Sequence, residues 1–135
     1  MNKLTPNQKE MIERYQDYDL DDLYNEIGNA LARTTDSELN RKYVLGTPNV
    51  RERGAKVVRD VGAALCDQRA RLEKLLSDNK EILEPIDWVA TIGDAIISLK
   101  IGIPPWSTAC ALGKLCNYTL AKLCGGAAGT EQAKA

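Results

Sequence analysis

Four groups of residues in this chain have types and spacings that bear on chemistry. The first is Asp17-Tyr18-Asp19-Leu20-Asp21-Asp22, with carboxylates at the first, third and fifth positions of a calcium-loop register. The register then fails, because Asp22 stands where the sharp turn wants glycine and Gly28 stands where a bidentate glutamate belongs. Those carboxylates read instead as caps and dipole partners of a helix, and no metal is expected. The second group is Gly113-Lys114, which is followed by Leu115 rather than Ser or Thr and has no glycine five residues before it. A phosphate-cradling loop is therefore rejected. The third is Arg51, Arg53, Lys56 and Arg59, interrupted by Glu52 and Asp60. At helical spacing these cations scatter over about 200° of arc, so with a pI near 5.5 no nucleic acid is expected. The fourth is the cysteines Cys66, Cys110, Cys116 and Cys124, which form no C-x-x-C pair.

The chain has no histidine. That absence excludes Ser-His-Asp and Cys-His catalysis within one chain, His-ligated metals and imidazole pH switching. A nucleophilic Cys110 would have only Lys114, four residues on, to lower its pKa. No paired carboxylate constellation is visible, so the expectation is a protein that is not an enzyme, with no catalytic residues and no cofactor. The segment 1–6 has no apolar stretch of the kind a secretory signal carries. That predicts a cytoplasmic protein whose cysteines are reduced and buried as small hydrophobes.

Charge supplies the remaining functional hint. Residues 1–40 carry nine acids against four bases, and residues 41–80 carry ten bases against five acids. Such blocks can attract one another within the fold or between copies. The expected contact surface for a partner is therefore Asp17, Asp19, Asp21, Asp22 and Glu26 on the acidic side, with Arg51, Arg53, Lys56 and Arg59 on the outer face of a long basic helix. The partner would be another protein or a second copy.

Apolar spacing of three and four dominates, which makes the fold class all-α. At 135 residues the expectation is one compact domain over 1–126, built of five or six helices, with 127–135 a disordered tail. Thr5-Pro6-Asn7-Gln8 reads as a capping box that opens a first helix bearing Met11, Ile12 and Tyr15. Asp19 caps a second, whose stripe is Leu20, Leu23, Tyr24, Ile27 and Leu31. The polar, irregular stretch 34–47 reads as a mobile loop with a turn of helix around Ser37–Tyr43. From Pro48 a stripe of Val50, Gly54, Val57, Val58, Val61, Leu65, Leu72, Leu75 and Leu76 falls within an arc of about 100°. Its helix over 50–76 is either continuous or broken near Cys66-Asp67.

The C-terminal part reads as a hydrophobic helical hairpin. Pro85 opens a helix bearing Trp88, Val89, Ile92, Ile96, Ile97 and Leu99, and Gly102 ends it. Pro104-Pro105 then turns the chain into a last helix over 106–124, with Trp106, Ala109, Leu112, Leu115, Cys116, Leu120, Leu123 and Cys124 on its apolar side. Asp87, Asp94, Lys100, Lys114 and Lys122 interrupt the region, so neither helix offers the ~20 apolar residues of a membrane span. The hairpin 86–124 is expected to be core. The alternative is a membrane-perturbing effector in which that hairpin inserts conditionally.

The order of features resembles small all-helical accessory proteins of bacterial conflict operons, which serve antiphage defence. The similarity rests on Asp21-Asp22-Leu23-Tyr24-Asn25-Glu26-Ile27-Gly28, on Arg51-Glu52-Arg53-Gly54, on Cys66, and on the small apolar helix after Pro104-Pro105. It covers most of 20–124 as a pattern and transfers no catalytic residue. The resemblance implies a non-catalytic protein–protein interaction module, an adaptor or regulatory subunit in antiviral defence.

Overall fold

A computed structural model describes residues 5–77 and 84–124, and every regular element in them is helical. The expected tail 127–135 lies outside the described residues. Helix α1 (Pro6–Gln16) opens with the anticipated reciprocal cap: the Gln8 amide donates to the Thr5 hydroxyl at 3.1 Å, and the Thr5 amide donates to Gln8 Oε1 at 3.0 Å. Helix α2 (Leu20–Ala32) is capped by Asp19, whose carboxylate accepts the Asp22 amide at 2.8 Å. Its stripe of Leu23, Ile27 and Leu31 is buried, with Tyr24 beside it.

Within 34–47 the residues 37–45 are helical, where a turn of helix was expected around 37–43, and the helical part is longer than that turn. Asp36 accepts the amides of Glu38 and Leu39 at 2.9 and 3.1 Å and starts α3 (Ser37–Leu39), which runs into a π-helical turn over Asn40–Leu45. Tyr43 anchors that turn. Its ring is buried, and its hydroxyl donates to Asp60 Oδ2 at 2.8 Å. One aromatic anchor and one acidic cap thus order a segment whose average composition reads as irregular.

Helix α4 (Val50–Cys66) follows, capped by Asn49, and buries Val57, Val58, Val61 and Leu65. The chain breaks after Cys66 and resumes as α5 (Arg69–Ser77), which settles the choice left open over 50–76. Of the distal stripe Leu72 is buried, whereas Leu75 is 45% exposed.

Helix α6 (Pro85–Leu99) has proline at its first position, and the Asp87 carboxylate accepts the Glu84 amide at 3.2 Å. The helix stops two residues earlier than expected, at Lys100 in the left-handed conformation, φ 56°, ahead of Gly102. Helix α7 (Pro105–Cys116) is buried without interruption over 106–113 and touches α1, α2, α4 and α6. Its small residues Ser107, Ala109, Cys110, Ala111 and Gly113 allow those neighbours to approach from every side.

The last helix does not run through 106–124. Asn117 and Tyr118 both take positive φ, 53° and 56°, and a separate α8 (Leu120–Cys124) begins after Thr119. Asparagine tolerates the left-handed region, and the Thr119 hydroxyl then accepts the Lys122 amide at 3.3 Å, so one helix is stopped and the next started within three residues. Among the described residues there are eight α-helices and one π turn, more than the five or six expected, because 37–39 adds one and the breaks at 66–69 and 116–120 each divide a stretch. No described helix is long and apolar enough to cross a membrane.

Candidate functional site

Two of the features that carry the resemblance, the segments 21–28 and 51–54, meet in space. They form the crossing of α2 and the start of α4, the most extensive helix contact in the structure. A Cβ on Gly54 would run into the Tyr24 carbonyl, and one on Gly28 into the Val50 carbonyl, so the helices touch backbone to backbone. Arg53 locks the crossing. It is 5% exposed and donates from Nη1 to the Gly28 carbonyl at 2.9 Å, from Nη2 to Pro48 at 2.9 Å and from Nε to Thr47 at 3.1 Å. Three charge-assisted bonds satisfy a guanidinium taken out of water. Arg53 therefore belongs to the interior, and its expected place on the outer face is corrected.

The other expected contact residues divide by what they touch. Asp17 closes α1 and Asp19 caps α2, so both serve helix ends. Arg51 Nε donates to Asp21 Oδ1 at 2.6 Å, and its guanidinium lies 5.4 Å from the centre of the Tyr24 ring. The acidic and basic blocks therefore meet inside one chain at that point. Lys56 Nζ approaches the Lys42 carbonyl at 3.4 Å and sits 5.7 Å from the Tyr43 ring. Asp22 is exposed and Glu26 half-buried on α2. Arg59 is exposed, and among the described residues it makes no hydrogen bond or ion pair. No group of three or more Cys, Asp or Glu among the described residues is placed to hold a metal ion.

Arg59 stands at a groove that the sequence does not announce. The groove has a volume of about 600 Å³ and runs between α4 and the α7–α8 pair, with Tyr24 at one end. Val58, Gly62, Leu112, Leu115 and Leu123 line it, so apart from the Arg59 head group and the Tyr24 hydroxyl its walls are largely apolar. Leu115, expected on the buried side, is 53% exposed on this wall. Gly62 gives the floor its depth, because a Cβ there would sit 3.2 Å from Leu112 Cδ2 and 3.4 Å from Leu123 Cδ1. A second cavity of about 440 Å³ lies beside the π turn, but Asp36 and Glu38 line it together with Arg41, Lys42 and Lys100, which leaves its charge mixed.

The far end of the groove is closed by a disulfide. Cys66, the last residue of α4, is bonded to Cys124, the last of α8, with Cα atoms 5.4 Å apart. The expectation of four reduced cysteines is corrected for this pair. Its partners lie 58 residues apart, a separation no local motif signals. On chain-entropy grounds such a loop closure contributes roughly 4 kcal/mol. Cys110 and Cys116 remain free and buried. Burial pushes the Cys110 thiol up to about 12, and the partial offset from Lys114 does not reverse it. The Cys116 thiol is raised as well, again chiefly by burial. Both are protonated at neutral pH, and Cys110 is no nucleophile.

Comparison with protein families, with curated proteins and with solved structures finds no match to this chain. The groove, the Arg59 side chain at it and the bridge are thus read from this molecule alone.

Proposed function

We propose that this chain is a non-catalytic protein-recognition module, an adaptor or regulatory subunit, that seats an amphipathic helix of another protein in the groove between α4 and α7–α8. One observation carries the reading: a largely apolar groove holds one cation, Arg59, with no ion-pair partner among the described residues. An occupant that matches it presents an apolar face at helical spacing together with an acidic side chain that reaches the guanidinium. Exposed Leu115 supplies apolar area, and Arg59 supplies register and specificity. Asp22, Glu26 and Lys56 would contribute at the margin. The resemblance to accessory proteins of conflict operons supports a role in bacterial antiviral defence, within the cytoplasm. In this reading 86–124 is an apolar hairpin that serves as core, supported by the burial of Trp88, Ile92, Trp106 and Leu112.

The test is quantitative affinity capture from the native cell with three variants in parallel. Arg59→Glu and Leu115→Glu should each reduce recovery of the same protein at least about tenfold, as expected of central interface residues. Lys74→Glu, on exposed α5, should leave it unchanged. Equal recovery across all three, self-association in sizing experiments that Arg59→Glu abolishes, or dye release from liposomes would each overturn the reading.

A further inference from the structure

The wall of the groove that is least able to hold itself in place is the one tied down by the disulfide. Helix α8 has five residues, far below the length at which a helix persists alone, and only Leu120 in it is buried. Among the described residues it packs on α4, α5 and α7 through Leu120 and the half-buried Leu123, which leans over Gly62, and it is tied covalently by the bond from Cys124 to Cys66. Cys124 and Cys66 are themselves only half-buried, so a small thiol can reach the bridge. The two remaining cysteines are enclosed in α7 and offer no alternative partner.

We infer that the Cys66–Cys124 bridge is a thiol-responsive latch: reduction frees α8, removes Leu123 from the groove and disables it as a binding surface. The consequence for binding rests on the groove reading above, whereas the release of α8 does not. The chemistry is thiol–disulfide exchange with a low-molecular-weight thiol. One thiolate attacks a sulfur of the bridge to form a mixed disulfide, and the other cysteine leaves as thiolate. A second thiol then resolves the mixed disulfide. Overall the bridge takes up two electrons and two protons to become two cysteine thiols, and two small thiols are oxidised to their disulfide. In a thiol-reducing compartment such a bridge is transient, so the groove binds its partner only while the bridge is oxidised.

Hydrogen exchange tests the latch directly. Oxidised protein, the same protein reduced with dithiothreitol, and the Cys66→Ser/Cys124→Ser variant would be compared. Circular dichroism would check that all three retain their helices. Amides of 120–124 should exchange at least about tenfold faster in the reduced and variant proteins, while those of the α2–α4 crossing keep their protection. In parallel, anilinonaphthalene sulfonate, an apolar anion that suits Arg59 and Leu115, would be titrated into each form. Its affinity should fall at least about tenfold on reduction. Unchanged exchange at 120–124 after complete reduction would overturn the latch, as would four free thiols in air-oxidised protein. Binding of the probe that Arg59→Glu does not affect would instead refute the groove reading, with the exchange data still deciding the latch.

Discussion

The two ends of α4 do opposite things with the same kinds of residue. At its start, small glycines bring two backbones into contact, and every nearby cation is engaged: Arg51 by Asp21, Arg53 by three carbonyls. At its end, the glycine Gly62 opens a depression instead of closing one, Arg59 makes no ion pair among the described residues, and Leu115 stays at the surface. One region has satisfied its polar groups internally and is therefore structural. The other leaves apolar area and a charge for something else to satisfy. Where bonding capacity is left over, rather than where charge is dense, is the better guide to a contact surface.

The contrast can be broken first at the crossing. Gly54→Ala should destabilise by more than about 3 kcal/mol, because the new methyl meets the Tyr24 backbone, which has no rotamer to yield. A denaturant midpoint close to wild type would show that the helices separate easily. Arg53→Met should cost about 3 kcal/mol by removing three charge-assisted bonds, to the Gly28, Pro48 and Thr47 carbonyls. Urea unfolding checks it, and a neutral result would return Arg53 to the surface.

Alkaline pH gives an intermediate effect. Burial raises the Cys110 thiol to about 12 and raises the Tyr43 hydroxyl, which Asp60 also opposes ionising. The unfolded chain ionises these groups at about 8.5 and about 10, so it loses protons before the folded chain does. Stability from both is complete below about pH 8.5 and declines as pH rises toward 12. The alkaline slope of the unfolding free energy should be shallower in Tyr43→Phe.

The smallest stability effect expected is a gain. Thr108 is fully buried, and its hydroxyl has no hydrogen-bond partner among the described residues. Thr108→Val should therefore stabilise by about 1 kcal/mol in thermal unfolding. A loss would reveal a partner for that hydroxyl.

Much of the fold was legible because its signals are local. The Thr5 and Asp19 caps, the prolines at 6 and 85, and the stripes of α2 and α4 each lie within one turn of the residue they organise. The division after Cys116 was also written locally, in Asn117 followed by Thr119, but the apolar spacing of Leu112, Cys116, Leu120 and Leu123 bridges the gap and masks it. Arg53 had a signal too: it lies three residues after Val50 and four before Val57, on the inward stripe, where a cation reads as an exception. The groove and the bridge had none. Leu115 shares the periodicity of the buried leucines and differs only in having no helix above it. The Cys66–Cys124 pair exists because the ends of two helices converge, which is a property of the folded chain.

The central claim, that the end of α4 rather than its start faces a partner, is tested most directly by site-specific photocrosslinking in the native cell. A benzoylphenylalanine at position 115 should give a single adduct with another protein, and Arg59→Glu should remove it. The same probe at position 97, where Ile97 is equally exposed but outside the groove, should give none. Adducts of equal yield at both positions, or an adduct at 115 indifferent to Arg59→Glu, would contradict the account.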